Sequence, residues 1–134
     1  MRYMLDTDIC IYVVNERPTV VLNRFREHEA AGLGISAVTA AELYYGVART
    51  GSERNLRALR QFLAPLQIAP FDHAAAQACG SLRAWLASQG TPIGPYDTQI
   101  AAHAFTLGVA LVSNNTREFA RVPGLRVENW ATPA

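Results

Sequence analysis

Three acidic residues of this sequence, Asp6, Glu42 and Asp97, occupy positions that point to chemistry. Each lies near a point where an apolar, strand-like run gives way to a helix-like pattern. In an open α/β sheet such junctions lie at the carboxyl edge of the strands, where ligands bind. Three carboxylates that meet at that edge would form a site for a hard divalent cation, which prefers oxygen ligands.

Asp6 ends the opening apolar run of residues 1–5, and Asp8 follows two positions later. An Asp at the end of a strand commonly caps the next helix, and this interpretation stays open for Asp6. Two carboxylates so close together exceed what one cap requires. We therefore expect Asp6 to face a cleft, and Asp8 to lie in the first helical turn, where it either caps the helix or braces the adjoining loop.

Glu42 has two interpretations. Thr39-x-x-Glu42 matches a capping box, in which the Glu side chain satisfies a free N–H at the helix start. Alternatively, Glu42 lies one turn into a helix after a strand and points toward the edge that carries Asp6. Asp97 could also be a cap, but residues 97–107 form an apolar helix that would hold its carboxylate rigidly, as a metal ligand requires. Residues 113–119 follow an apolar run and would add neutral oxygens, an Arg and another acid at the same edge.

Strand-like and helix-like patterns alternate along the whole chain. We predict strands at residues 2–5, 32–36, 67–71, 109–112 and 125–128, and helices at residues 7–15, from 18, 38–49, 53–63, 72–88 and 97–107. This alternation predicts an α/β fold with a central, mainly parallel sheet of four to five strands flanked by helices. Residues 67–71 lie between prolines, which favours an edge strand, whereas the continuous apolar run 109–112 is typical of a central one.

Composition bounds the class of protein. A chain of 134 residues predicts a single domain, residues 1–134. The net charge of +1 gives no overall basic field, yet all twelve basic side chains are Arg, whose planar fork suits phosphate. A bias in genomic base composition explains the same preference.

Cys10 and Cys79 lack metal-ligand spacing, and no signal peptide precedes them, so we expect reduced thiols in a cytoplasmic protein. The longest mostly apolar stretch, residues 100–112, is too short for a membrane span.

Four segments together resemble a known family. They are Met-Leu-Asp-Thr-Asp at 4–8, Glu-Leu at 42–43 with Gly46, Gly-Pro-Tyr-Asp at 94–97 followed by Ile100, Ala101 and Ala104, and Val-Ser-Asn-Asn-x-Arg-Glu-Phe at 112–119. In this order and spacing they look like the PIN domain, specifically the VapC-type toxins of bacterial toxin–antitoxin pairs. The resemblance runs from Arg2 to Trp130 and includes the ending at 122–130.

The resemblance implies a PIN-like three-layer sandwich and a Mg²⁺-dependent endoribonuclease, with Mn²⁺ as a substitute ion. It gives Asp6, Glu42 and Asp97 the role of the catalytic acids, with Asp6 and Asp97 as the metal ligands. A bound Mg²⁺ lowers the pKa of a water for in-line attack on the phosphodiester. The implied substrate is cellular RNA, with tRNA as one candidate.

The chain departs from the family at two positions. Many relatives have a fourth acid where this chain has Asn115, a neutral oxygen donor, so Glu118 is the acid that could compensate. Asp8 stands where many relatives have Asn, and we assign it a supporting role together with Asn115 and Glu118.

The implied partners are a cognate VapB-type antitoxin, the RNA substrate and a second copy of the chain. Apolar helices between residues 18 and 66 are the candidate surfaces for the homodimer or the antitoxin, with Tyr44 and Tyr45 as aromatic anchors. Three arginines are the candidate phosphate contacts: Arg83, Arg117 and Arg121.

Two other functions remain open from the sequence. Asp-x-Asp after a first strand also suggests a phosphatase or receiver domain with an aspartyl nucleophile. Both usually place a Lys near the phosphate, and this chain contains none. The other alternative is a non-catalytic module that binds RNA or a protein partner through a vestigial acidic cleft.

Overall fold

A computed structural model describes residues 1–132. The strands are β1 (Tyr3–Leu5), β2 (Leu33–Ser36), β3 (Gln67–Ala69), β4 (Ala110–Val112) and β5 (Val127–Glu128). The helices are α1 (Thr7–Val14), α2 (Thr19–His28), α3 (Ala37–Thr50), α4 (Glu53–Leu63), α5 (His73–Ser88), α6 (Pro95–Leu107) and α7 (Thr116–Phe119), with a 3₁₀ turn at Glu29–Ala31. The predicted single domain, 1–134, extends two residues beyond this part of the chain, and it stays a prediction.

The five strands form one sheet in the order β3-β2-β1-β4-β5, and every pairing is parallel. The chain first proceeds from β1 toward β3, and then returns to the other side of β1 to form β4 and β5. The strand order therefore reverses between β1 and β4, where open α/β sheets form their binding crevice. The predicted parallel sheet and the edge position of residues 67–69 are confirmed.

Helices cover both faces of the sheet. Met4 and Leu5 are consecutive in β1, so their side chains point to opposite faces, and each joins a different hydrophobic core. The Leu5 core contains side chains of α1 to α4 together with the buried Trp130, whereas the Met4 core contains Ile100 and Ala104 of α6 and Phe119 of α7. The sheet thus lies between two helical layers, as predicted.

Several predicted boundaries were wrong by a few residues. α6 begins at Pro95 rather than residue 97, because the first turn of a helix accepts proline, whose missing N–H would have no partner there. β3 and β5 are shorter than predicted, and the one-turn helix α7 lies in a segment predicted as a loop. α3 and α6 end at Gly51 and Gly108, which both adopt left-handed backbone conformations, with φ of 65° and 67°.

No helix within residues 1–132 combines the length and the apolar character needed to cross a bilayer. The two cysteines are free thiols: Cys10 is buried in the Leu5 core, and Cys79 is half-buried on α5.

Candidate active site

Asp6 lies at the crevice between β1 and β4. It is the N-cap of α1, and only 5% of it is exposed. The backbone N–H of Thr7 donates a 2.9 Å hydrogen bond to its Oδ1, and the hydroxyl of Ser113 donates a 2.7 Å hydrogen bond to its Oδ2. The capping role of Asp6 and its position in the cleft are therefore compatible, because one carboxylate oxygen caps α1 while the other accepts the hydrogen bond from Ser113.

The sequence predicts neutral oxygens from residues 113–119 at this edge, and Ser113 is one of them, but it predicts no specific contact for this serine. This residue directly follows β4, is fully buried, and accepts a 2.9 Å hydrogen bond from the backbone N–H of Asn115 while it donates to Asp6. Its signal in the sequence was a serine immediately after a buried strand, which also describes many ordinary turns. Only the pairing of β4 with β1 brings the Ser113 hydroxyl to the carboxylate.

Asp8 braces the loop after β4. Its Oδ1 accepts a 2.7 Å hydrogen bond from the N–H of Ile9, and its Oδ2 accepts a 3.0 Å hydrogen bond from the N–H of Asn114. Asp8 was expected either to cap α1 or to brace the adjoining loop, and its bond to Asn114 shows the bracing role. Ser113 lies in the same loop and is bonded to Asp6. Two hydrogen bonds, one to Asp6 and one to Asp8, therefore attach this loop to the start of α1.

The capping box predicted for Thr39 and Glu42 is wrong. α3 begins at Ala37 with Ser36 as its N-cap, whose hydroxyl accepts a 3.1 Å hydrogen bond from the N–H of Val38. Glu42 lies in the second turn of α3, and its Oε1 accepts a 2.8 Å hydrogen bond from the hydroxyl of Thr7. Because Thr7 follows Asp6 directly, this bond brings Glu42 to the same edge of the sheet.

Asp97 and Glu118 form a pair of carboxyl groups beside Gly94. Asp97 lies in the first turn of α6, and a hydrogen bond joins its side chain to that of Glu118 in α7. Glu118 Oε1 also accepts a 2.9 Å hydrogen bond from the N–H of Gly94, and its Oε2 accepts one from the side-chain amide of Asn115. A methyl group at Gly94 would lie 3.6 Å from Asp97 Oδ2 and 3.9 Å from Glu118 Oε1. Glu118 thus ties the loop after β4 to the start of α6.

The carboxyl groups influence one another electrostatically. Burial raises the pKa of Asp6 to about 6, with further contributions from the charges of Asp8 and Glu42, against the hydrogen bonds from Ser113 and Thr7. Burial and the hydrogen bond with Glu118 raise the pKa of Asp97 to about 7, with added contributions from the charges of Asp6, Glu118 and Glu42. Acids from four separate elements therefore share one electrostatic environment, in which each opposes the ionisation of its neighbours.

The pKa of Glu118 shifts in the opposite direction from that of Asp97. Burial opposes its ionisation, but hydrogen bonds from the Gly94 N–H, Asp97 and Asn115, together with the charge of Arg121, outweigh it and lower the pKa of Glu118. Within the pair the environment therefore favours the proton on Asp97 and the charge on Glu118.

The arrangement fits a hydrated cation better than a closed cage. No group of three or more His, Cys, Asp or Glu side chains within residues 1–132 is arranged to hold a metal ion by itself. Mg²⁺ usually keeps several waters and takes one or two carboxylates, which is what the buried Asp6 and the nearby Asp97 offer. Burial is the main cause of their raised pKa values and the charges of the neighbouring acids add to it, so a divalent cation at this edge would favour the ionised forms.

The three candidate arginines have different positions. Arg121 lies close to the acids: its Nη1 donates a 3.0 Å hydrogen bond to the carbonyl of Pro92, and its charge lowers the pKa of Glu118. Arg83 and Arg117 are exposed, and Arg83 lines a separate cavity of about 320 Å³ beside Pro92 and Pro95.

Comparisons with known proteins match nearly the whole chain. The model of the PIN domain family matches residues 3–125. The tRNA(fMet)-specific endonuclease VapC of Shigella flexneri is 44% identical, with 98% of this chain and 99% of the relative covered. Ribonuclease VapC2 of Haemophilus influenzae is 46% identical over 97% of this chain and 98% of its own. The crystal structure of DNA-bound VapBC from Salmonella typhimurium contains a similar chain, with a TM-score of 0.90, 41% identity and coverage of 97% and 98%.

Proposed function

The chain belongs to the PIN-domain family and, within it, to the VapC ribonucleases, and on this premise we propose that it is a site-specific, metal-dependent endoribonuclease that acts as the toxin of a toxin–antitoxin pair. The observation that carries the proposal is the convergence of Asp6, Glu42, Asp97 and Glu118 at the strand-order reversal. Cleavage of cellular RNA implies that it acts in the cytoplasm.

The proposal assigns a role to each acid. Asp6 and Asp97 hold Mg²⁺, for which Mn²⁺ can substitute, and Glu42 completes the negative site through its contact with Thr7. An ion held there would supply a water of lowered pKa as the nucleophile and positive charge to stabilise the phosphate in the transition state. Glu118 positions Asp97 through their hydrogen bond, and Asn115 positions Glu118.

Binding of an antitoxin must cover the acids to inhibit them. An apolar groove of about 300 Å³, here called the α1 groove, lies between α1, α3 and α4 and contains Ile11, Leu43 and Leu59. Thr7 and Glu42 lie at its edge, so an apolar helix or strand of a VapB-type antitoxin in this groove would reach the acids. α1 lies outside residues 18–66, the range in which the sequence placed the candidate surfaces for the homodimer or the antitoxin.

A second apolar surface suits a homodimer. Trp85 of α5 and Phe105 of α6 are 43% and 54% exposed, and both line a cavity of about 440 Å³ with Leu82 and Pro123. Large exposed aromatic side chains that lie together are typical of protein interfaces. We assign this Trp85 surface, rather than the helices between 18 and 66, to the contact between two copies of the chain.

Cleavage of RNA by the purified, antitoxin-free protein tests the function. Total RNA and isolated tRNA are incubated with the protein in Mg²⁺ or in EDTA, beside Asp97→Asn and the matched control Glu27→Gln, an exposed acid on α2. We expect discrete fragments from the wild type and the control in Mg²⁺ alone. Folded protein that cleaves neither substrate in Mg²⁺ or Mn²⁺ would contradict the proposal and favour a non-catalytic binding module.

A further inference from the structure

A second groove opens from the acids on the other side of Glu42. It has a volume of about 930 Å³, and its lining includes Glu42, Tyr45, Arg49, Phe71, Tyr96 and Gln99. We call it the Tyr45 groove. Thr7 and Glu42 line both this groove and the α1 groove, so the Tyr45 groove begins where the candidate catalytic acids lie.

The side chains of the Tyr45 groove suit single-stranded RNA. Tyr45 and Tyr96 are 66% and 59% exposed, although neither contributes to a hydrophobic core. Exposed aromatic rings beside a basic side chain stack on unpaired bases in proteins that bind single-stranded nucleic acid. The lining has one basic side chain, Arg49, and one acid, Glu42, and the Arg49 guanidinium lies 5.6 Å from the centre of the Tyr45 ring.

Helical spacing explains why these side chains act together. Glu42, Tyr45 and Arg49 are three or four residues apart along α3, so they follow one another along one side of the helix. Tyr44 lies on another side and lines a small cavity with Leu56 of α4. The two tyrosines, taken together from the sequence as anchors for a partner, therefore belong to different surfaces.

We infer that the Tyr45 groove binds the single-stranded part of the RNA substrate next to the scissile phosphate, with Tyr45 and Tyr96 stacked on bases and Arg49 bound to a phosphate. The inference rests on the proposed ribonuclease function. Continuity with the acids and the exposed rings of Tyr45 and Tyr96 favour RNA here, and Arg49 offers one cation for a phosphate. The α1 groove, which has no basic side chain, suits an apolar protein segment instead.

Binding of a fluorescein-labelled single-stranded oligoribonucleotide, measured by fluorescence anisotropy, tests the inference separately from cleavage. The protein is Asp97→Asn, alone or combined with Tyr45→Leu, Tyr96→Leu or Arg49→Gln. The matched controls are Tyr44→Leu, on the other side of α3, and Arg57→Gln, an exposed arginine on α4. We expect each groove variant to weaken binding at least fivefold, and both controls to bind within twofold of the parent. In otherwise wild-type protein, the groove variants should raise KM more than they lower kcat.

Two outcomes would overturn the inference. One is unchanged RNA binding by all three groove variants; the other is retained RNA binding with lost affinity for the antitoxin, which would assign the groove to the protein partner. A failure of the proposed ribonuclease function would give a different result from a failure of the groove assignment. A wild-type protein that binds the oligonucleotide through these residues, yet cleaves no RNA, would contradict the ribonuclease and leave the groove assignment supported.

Discussion

The Ser113 hydroxyl donates a 2.7 Å hydrogen bond to Oδ2 of Asp6, from a position 107 residues away in the sequence. Both residues directly follow a strand, and those strands are neighbours in the sheet. Ser113 therefore holds the most buried acid of the site while the other oxygen of that acid caps α1.

Replacement of Ser113 by Ala should impair both stability and activity. The bond is buried and its acceptor is charged, so we expect a loss of about 1–3 kcal/mol in the free energy of unfolding near pH 7.5. The same bond lowers the pKa of Asp6, so its removal should shift the acid limb of the kcat/KM profile to higher pH. Chemical denaturation and a pH–rate profile measure the two effects, with Ser88→Ala at the exposed end of α5 as the control. An unshifted acid limb would show that Ser113 is only structural.

The metal-free protein should lose stability as the pH rises. Asp6 and Asp97 have pKa values of about 6 and about 7 in the folded protein, above the 3.8 that is usual for an aspartic acid, so folding favours their protonated forms. That contribution is fully present below about pH 4 and is lost as the pH rises through 6 and 7. We expect Mg²⁺ to oppose the loss, because the cation binds the ionised form.

Asp97→Asn isolates this effect from other titrating groups. The asparagine stays neutral, so the difference in Tm between the variant and the wild type in EDTA should grow in favour of the variant from pH 5 to pH 8. Thermal unfolding monitored by circular dichroism across this range provides the measurement. A difference in Tm that does not change with pH would contradict the raised pKa of Asp97.

Replacement of Thr7 by Val should release Glu42. Val preserves the shape of the side chain but removes the hydroxyl that donates to Glu42 Oε1 at 2.8 Å. We expect kcat to fall by about tenfold, with a loss of about 1 kcal/mol in the free energy of unfolding, since the bond is half-buried. Thr7→Ser retains the hydroxyl and should recover most of the activity. Equal cleavage rates for Val and Ser would show that the position of Glu42 does not depend on Thr7.

Replacement of Gly46 by Ala should stabilise the fold while it impairs binding. Gly46 lies inside α3, and among the described residues a Cβ built there meets no atom within 4 Å outside the adjacent residues and the backbone of its own helix. Glycine in a helix costs roughly 0.5–1 kcal/mol relative to alanine, so Tm should rise by a few degrees. However, Gly46 lines both the α1 groove and the Tyr45 groove, so a methyl group there should weaken binding of the antitoxin or RNA.

Gly80→Ala is the matched control for this substitution. Gly80 lies inside the exposed part of α5, where an added Cβ also meets nothing within 4 Å among the described residues. The control should gain similar stability without any loss of binding. If Gly46→Ala bound both partners normally, neither groove would need the space that the glycine leaves.

Replacement of Trp85 by Glu should dissociate the homodimer. A carboxylate on the Trp85 surface would have to be desolvated at the interface, so the sedimentation coefficient should fall to that of a monomer. Tyr44→Glu, on α3, is the control and should stay dimeric. The reverse result, a monomer from Tyr44→Glu alone, would return the homodimer to the helices between residues 18 and 66.

The sequence alone determined the order of strands and helices, the parallel sheet and the positions of the acids at strand ends. These properties depend on local patterns, such as the apolar run of β4, the Asp before α1 and the glycine stops of α3 and α6. The resemblance to the PIN domain selected one interpretation of the acids among those that the residues left open.

Only the tertiary structure decided how the acids are held. The hydrogen bonds from Thr7 to Glu42 and from Ser113 to Asp6 join residues 35 and 107 positions apart, and no local pattern encodes such distances. Thr39-x-x-Glu42 also shows that a local motif can match and still be wrong, because α3 begins earlier, at a cap formed by Ser36. Which strands are neighbours, and which helix faces meet, follows from packing of the whole chain, and that packing placed Glu118 against Asp97 and separated Tyr44 from Tyr45.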